Sequence, residues 1–192
     1  MKIEDKGIIF DPVDIPFDKL GHINLIAITH EHVDHFDKRL AIGLNKLMGA
    51  RILTTPFIAD QLMEISPSVI SMKPGDCFEL SPYIRIFTEY SKHNANMALT
   101  FFIQSESATI FHPNDSEFFP EMEILRVKYR PKIMTFLGNS FKNLNKIINA
   151  IRPEIVITYD YPHLKSIYLS ETKVVVLKKN QWFHYPDLHI EE

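Results

Sequence analysis

The apolar run Ile23-Asn24-Leu25-Ile26-Ala27-Ile28 leads without a break into Thr29-His30-Glu31-His32-Val33-Asp34-His35. A run of this kind reads as a buried strand. The polar cluster then falls in a strand-end loop, where α/β folds assemble their sites. Three of the nine histidines and one aspartate lie between His30 and His35. Imidazole nitrogen and carboxylate oxygen are the donors that zinc and other first-row metals prefer. A short His-rich tract is also met as solvated surface that binds metal only adventitiously. Four donors at this spacing, directly after a buried strand, favour a built metal site.

At 192 residues and 45% apolar content, the chain is expected to form one domain spanning 1–192 with a sizeable core. A net charge of −3 suggests no broad basic face, so bulk nucleic-acid binding is not indicated. The one cysteine, Cys77, excludes an intrachain disulfide and fits a reducing cytoplasm. It reads as a small core residue before Phe78. Only Ile8-Ile9-Phe10 follows the charged N-terminal segment, too short for a signal-peptide core. No run approaches the ~20 apolar residues of a membrane span. A cytoplasmic protein without a membrane segment is expected, and an exported antibiotic-degrading role is disfavoured.

Strands are predicted over 1–3, 7–11, 23–29, 51–54, 77–80, 83–90, 99–104, 109–111, 132–136, 154–158 and 174–177, with 182–185 a further candidate. Helices are predicted over 38–48, with Leu40, Leu44, Leu47 and Met48 on one face, over 56–65, around 118–127, and over 141–151. Pro67 and Pro74-Gly75-Asp76 mark a loop-rich middle. The interleaving indicates an α/β domain with helices covering sheets.

The His-x-His-x-Asp-His spacing of His30, His32, Asp34 and His35 resembles the signature of the metallo-β-lactamase-fold superfamily. That resemblance implies a four-layer αββα sandwich. It also implies that His30 and His32 bind one metal while Asp34 and His35 bind a second. Two divalent ions are then expected, zinc first, with Mn or Fe as alternatives. The family's next ligand matches His93 in Tyr90-Ser91-Lys92-His93-Asn94, and its bridging aspartate matches Asp115 in His112-Pro113-Asn114-Asp115. Asn114 stands where the family carries glycine, and asparagine tolerates the left-handed backbone better than most residues. The final histidine departs from the pattern. In register with the strand it falls on Asp160, and His163 lies three residues later. Asp160 could bind through oxygen, a loop shift could bring His163 in, or the second site could be weak or empty. Asp11, ending the second strand, resembles the aspartate that supports the histidine loop by hydrogen bonds. His112, His22, His184 and His189 are expected outside the metal shell.

The resemblance is nearest to the branch of metal-dependent hydrolases that includes L-ascorbate-6-phosphate lactonase. It implies a hydrolase that uses a metal-bound hydroxide on a small ester, lactone or phosphoester, with Asp34 orienting the nucleophile and taking its proton. A phosphodiesterase or small nuclease is the second enzyme reading. A non-catalytic, metal-stabilised binding module with a degraded second site is the third. A small-molecule substrate is expected as partner. The apolar content permits a homo-oligomer without locating an interface.

Overall fold

Short β-branched and apolar runs pair into two main sheets in the computed structural model, which describes residues 1–16, 20–136, 141–159, 171–178, 181–185, 187 and 189–191. Two compact units divide the chain: Met1–Asp76 with Thr88–Leu99, and Cys77–Phe87 with Thr100–Glu192.

The first unit contains β1 (Lys2–Ile3), β2 (Lys6–Phe10), β3 (Leu25–Ala27), α1 (Lys38–Met48), β4 (Arg51–Thr54), α2 (Pro56–Gln61), a 3₁₀ turn (Met63–Ser68) and β5 (Val69–Ser71). The sheet order is β1-β2-β3-β4-β5. β1 and β2 are antiparallel, joined by a turn with Glu4 at φ +53°, and β2 to β5 run parallel. Parallel strands are covered on both faces, and Ile8, Leu25, Ile26, Ile52 and Leu53 are fully buried. Each such side chain contributes roughly 1.5–3 kcal/mol. Leu40, Ala41 and Leu44 of α1, with Ile58 of α2, join Ile26, Ile28 and Ile52 in one core.

Local chemistry sets the helix ends. Asp37 caps α1 by accepting from Leu40 N, and Gly49 closes it in the left-handed conformation at φ +69°. Thr55 caps α2, with Pro56 in its first turn. Leu47, expected on the buried face of α1, is exposed instead, because the stripe facing the sheet runs through Leu40, Ala41 and Leu44. Gly7 is needed for close approach. A Cβ there would overlap the His22 carbonyl oxygen, and Gly7 exchanges two 2.9 Å hydrogen bonds with Asn24.

The parallel arrangement places the ends of β2 and β3 side by side. Asp11 N donates to Ala27 O at 3.0 Å, and Ile28 N donates to Leu53 O at 2.9 Å. Asp11 and the Thr29–His35 loop therefore leave the sheet side by side at the C-terminal ends of β2 and β3.

The second unit adds β6 (Cys77–Ser81), most of β7 (Ile84–Tyr90) and β8 (Leu99–Gln104), then β9 (Thr109–His112), α3 (Met122–Tyr129), β10 (Ile133–Phe136), α4 (Phe141–Ile151), β11 (Ile155–Tyr159) and β12 (Lys173–Leu177). Among the described residues the sheet order is β12-β11-β10-β9-β8-β7-β6. β9 to β12 are parallel, while β8 with β9 and β6 with β7 are antiparallel. Burial alternates along β7 as expected, with Ile84 and Ile86 inside and Arg85 outside. Phe102, Phe111, Met134 and Val156 pack against Leu125 and Tyr129 of α3 and Leu144, Ile147 and Ile151 of α4. β13 (Trp182–His184) and β14 (His189–Glu191) form a separate antiparallel hairpin.

Three further expectations are corrected. The third helix starts at Met122, after Pro120, because the proline sits in the turn that leads into it. β5 occupies Val69–Ser71 within the stretch read as loop, three residues being too few to give a periodic signal. Cys77 is exposed and not a core residue, because it opens β6, the edge strand of its sheet. Among the described residues no helix is long and apolar enough to cross a membrane.

Candidate metal centre

The first unit gathers four imidazoles at the end of β3. The ring of His30 lies 4.5 Å from His32, 4.2 Å from His35 and 4.5 Å from His93, and His32 lies 5.0 Å from His93. His30, His32 and His93 each offer a donor atom within 4.8 Å of the others, a group that could hold a metal ion.

Asp11 organises this loop from below. Its backbone is left-handed at φ +42°. Its Oδ1 accepts from Thr29 N at 2.7 Å, and its Oδ2 accepts from Thr29 Oγ1 at 2.7 Å. The same Oδ2 lies 2.9 Å from His35 Nδ1, and a carboxylate can only accept, so His35 carries its proton on Nδ1. Thr29 Oγ1 donates its one hydrogen to the Asp11 bond and therefore accepts from His30 Nδ1 at 3.0 Å. Both rings are thereby held in the tautomer that leaves the Nε2 lone pair to act as a donor. Carboxylate and hydroxyl partners of this kind orient metal-binding histidines and raise their basicity.

His30 is fully buried. Burial, and then the neighbouring rings of His35 and His93, hold its pKa down at about 4, against an ordinary value of 6.5. It is thus neutral at pH 7, the state in which imidazole binds metal. His32 Nδ1 and His93 Nε2 are 3.2 Å apart. Two nitrogens bound tetrahedrally to zinc at ~2.0–2.1 Å would stand about 3.3 Å apart. The residues present therefore fit a zinc-sized cation in both chemistry and spacing.

His93 reaches this position from β7 through tight turns, with His93 N donating to Ser91 O and Ala95 N to His93 O, both at 3.1 Å. Two ties bind this segment to the histidine loop. Glu31 Oε1 accepts from Asn96 N at 2.7 Å and from Asn96 Nδ2 at 2.8 Å, and Leu99 N donates to Thr29 O at 3.1 Å. Burial pushes the Glu31 carboxyl up, but the Asn96 donors outweigh it and hold the group below the ordinary glutamate value.

The remaining sequence candidates sit differently. Asp34 is on the exposed loop tip beside Val33, with its Oδ2 3.7 Å from His35 Nε2. Asp115 belongs to the second unit, half-buried after β9, and Asn114 before it takes the expected left-handed conformation at φ +55°. His112 is buried, its Nδ1 2.9 Å from Thr135 Oγ1. His22 is exposed, and His184 and His189 pair on the hairpin. Asp160 and His163 lie outside the described residues. Sequence reasoning missed Thr29, Glu31 and Asn96 as functional neighbours. The position of Thr29 between strand and first histidine was a usable signal, whereas nothing local ties Glu31 to Asn96.

No protein-family model matches the chain. A UPF0173 metal-dependent hydrolase of Staphylothermus marinus is 27% identical over 193 residues, covering 91% of this chain and 84% of its own. The structure of a metallo hydrolase from Ignicoccus hospitalis matches at a TM-score of 0.76 and 20% identity, covering 92% of this chain and 89% of that one. A metallo-β-lactamase-fold protein of Bacillus subtilis matches at a TM-score of 0.63 and 12% identity, covering 81% and 75%. At such low identity the structural likenesses carry the fold, which agrees with what the family resemblance implied, and the chain accordingly has the metallo-β-lactamase fold.

Proposed function

We propose that the chain is a metal-dependent hydrolase acting on a small ester, lactone or phosphoester, with His30, His32 and His93 holding its first cation. The observation that carries this reading is the convergence of those three rings, with His30 buried and neutral. Donors that are all imidazole favour zinc over harder ions at this position. The name of the Staphylothermus marinus relative supports the same class of activity.

A bound divalent cation would supply Lewis acidity, lowering the pKa of a held water toward ~7 and polarising the oxygen of the scissile group. The chain's own residues do the rest. Asp11 and Thr29 hold the histidine rings, so that binding a cation needs no rearrangement of the loop base. Asp34, exposed beside His35 Nε2, accepts the proton of the attacking water. Asp34 and His35 also supply two donors toward a second cation. Asp115, and Asp160 or His163, are its further ligands on the motif's pattern.

Elemental analysis of the purified chain tests the first site. Wild type should retain at least one transition metal per chain, and His32→Ala should lose it with a modest change in stability. Unchanged metal content in His32→Ala would sink the assignment. Release of acid from lactones, against nitrophenol from a bis-phosphodiester, separates the small-substrate reading from a phosphodiesterase.

A further inference from the structure

We propose that Glu31 and Asn96 form a clamp that positions His93, so that Glu31 sets cation affinity without touching the cation. This inference rests on the reading of His30, His32 and His93 as one metal site.

His93 is the donor with the hardest placement, since it is separated from His32 by 61 positions. A third ligand on a separate segment strengthens a site only when that segment is held at the right distance. Glu31 lies between His30 and His32, so a group bound to it keeps a constant relation to their rings. Asn96 lies three residues beyond His93, on the far side of the Ala95 turn. One carboxylate oxygen, Glu31 Oε1, takes both the backbone and the side-chain N–H of Asn96, at 2.7 and 2.8 Å. Two donors converging on one ionised acceptor fix direction as well as distance, and such charge-assisted bonds are the strong ones.

The other oxygen points to the same conclusion. Glu31 Oε2 is out of contact with solvent and has no hydrogen-bond partner among the described residues. A glutamate merely solvating a loop would leave both oxygens in water. Withdrawing a carboxylate from water is costly unless hydrogen bonds offset it. The Asn96 donors, both on Oε1, hold the carboxylate in place, and the Leu99 to Thr29 bond fixes the far end of the same segment. The clamp and this second tie enclose the stretch that follows His93. Glu31 is thus a positioning residue that acts through His93.

The test is Co(II) titration of the chelator-stripped full chain in wild type, Glu31→Ala, Glu31→Gln, Asn96→Ala, His93→Ala and the double variant Glu31→Ala/His93→Ala. Glu31→Ala should weaken Co(II) binding roughly 10- to 100-fold, the range for losing an outer partner of a metal ligand. Glu31→Gln keeps an accepting oxygen and should stay within about threefold of wild type. Asn96→Ala keeps the backbone donor and should fall between these two. If Glu31 acts through His93, the double variant should bind no more than about twofold weaker than His93→Ala alone. Multiplying losses in the double variant, or wild-type affinity in Glu31→Ala, would overturn the clamp and leave the three-histidine reading standing. Absence of Co(II) binding by wild type would overturn both. If Glu31→Ala does not fold, Asn96→Ala in the same cycle with His93→Ala decides the outcome by the same criterion.

Discussion

The two ends of the histidine loop are built in opposite ways. At its base, Thr29 and His30 are fully buried and joined through one hydroxyl to the Asp11 carboxylate. At its tip, three and four residues on, Val33 is 88% exposed and the Asp34 side chain 70% exposed. The base has the properties of a preorganised cation site, with the buried His30 ring neutral and held in one tautomer. The tip has the properties of a group that meets substrate and water. The contrast teaches that one short motif divides its labour by burial, not by residue type. The Asp11 carboxylate is engaged by Thr29 and His35 at the base, whereas the Asp34 carboxylate stands open at the tip, and their surroundings decide what each can do.

The sharpest attempt to break this contrast is at the base. Asp11→Ala removes the acceptor for Thr29 N, Thr29 Oγ1 and His35 Nδ1 together. It should cost more than about 3 kcal/mol of stability, since buried donors would be left unmet. Urea denaturation measures it, and a loss below about 1 kcal/mol would show that the base is not the rigid end.

A pH series sharpens the same point without mutation. The folded pKa of His30, about 4, lies below its ordinary value of 6.5. Between these values the unfolded chain binds a proton that the folded chain does not, so stability is lost as pH falls through that window. Below about 4 both states are protonated and the loss stops. For the metal-free chain the total is on the order of 3 kcal/mol. Thermal melting of chelator-treated protein from pH 7 to pH 4 should follow this course, and His30→Gln should flatten it.

The smallest effect on stability is expected at the tip. Asp34→Asn should change stability by less than about 0.5 kcal/mol. Hydrolytic turnover should nevertheless fall by roughly 100-fold or more if Asp34 handles the proton. Equal losses of stability in Asp11→Ala and Asp34→Asn would erase the distinction between base and tip.

How far the molecule is legible in its sequence follows a similar division. The strand leading into His30, the helix over 38–48, the helix start at Pro56, and the alternation of Ile84, Arg85 and Ile86 are local patterns, and the structure has each of them. Elements with little local signal were misjudged. β5 is three residues long, and α3 starts two residues after a proline that the periodicity had placed inside it. Cys77 reads as core because it is small and apolar, yet an edge strand leaves it exposed.

By itself the sequence determined that a buried strand ends in His30, His32, Asp34 and His35, because both the apolar run and the donor spacing are properties of consecutive residues. The family resemblance carried by that spacing implied the fold, and the donor types gave the expectation of bound metal. Only the tertiary structure decided which distant groups complete the arrangement. The Asp11 carboxylate meets Thr29 because β2 and β3 pair in parallel with Phe10 opposite Ala27. His93 meets His32 across 61 positions because Glu31 and Thr29 hold the segment that follows it. Strand register and side-chain contacts between remote segments set these distances, and no local pattern encodes them.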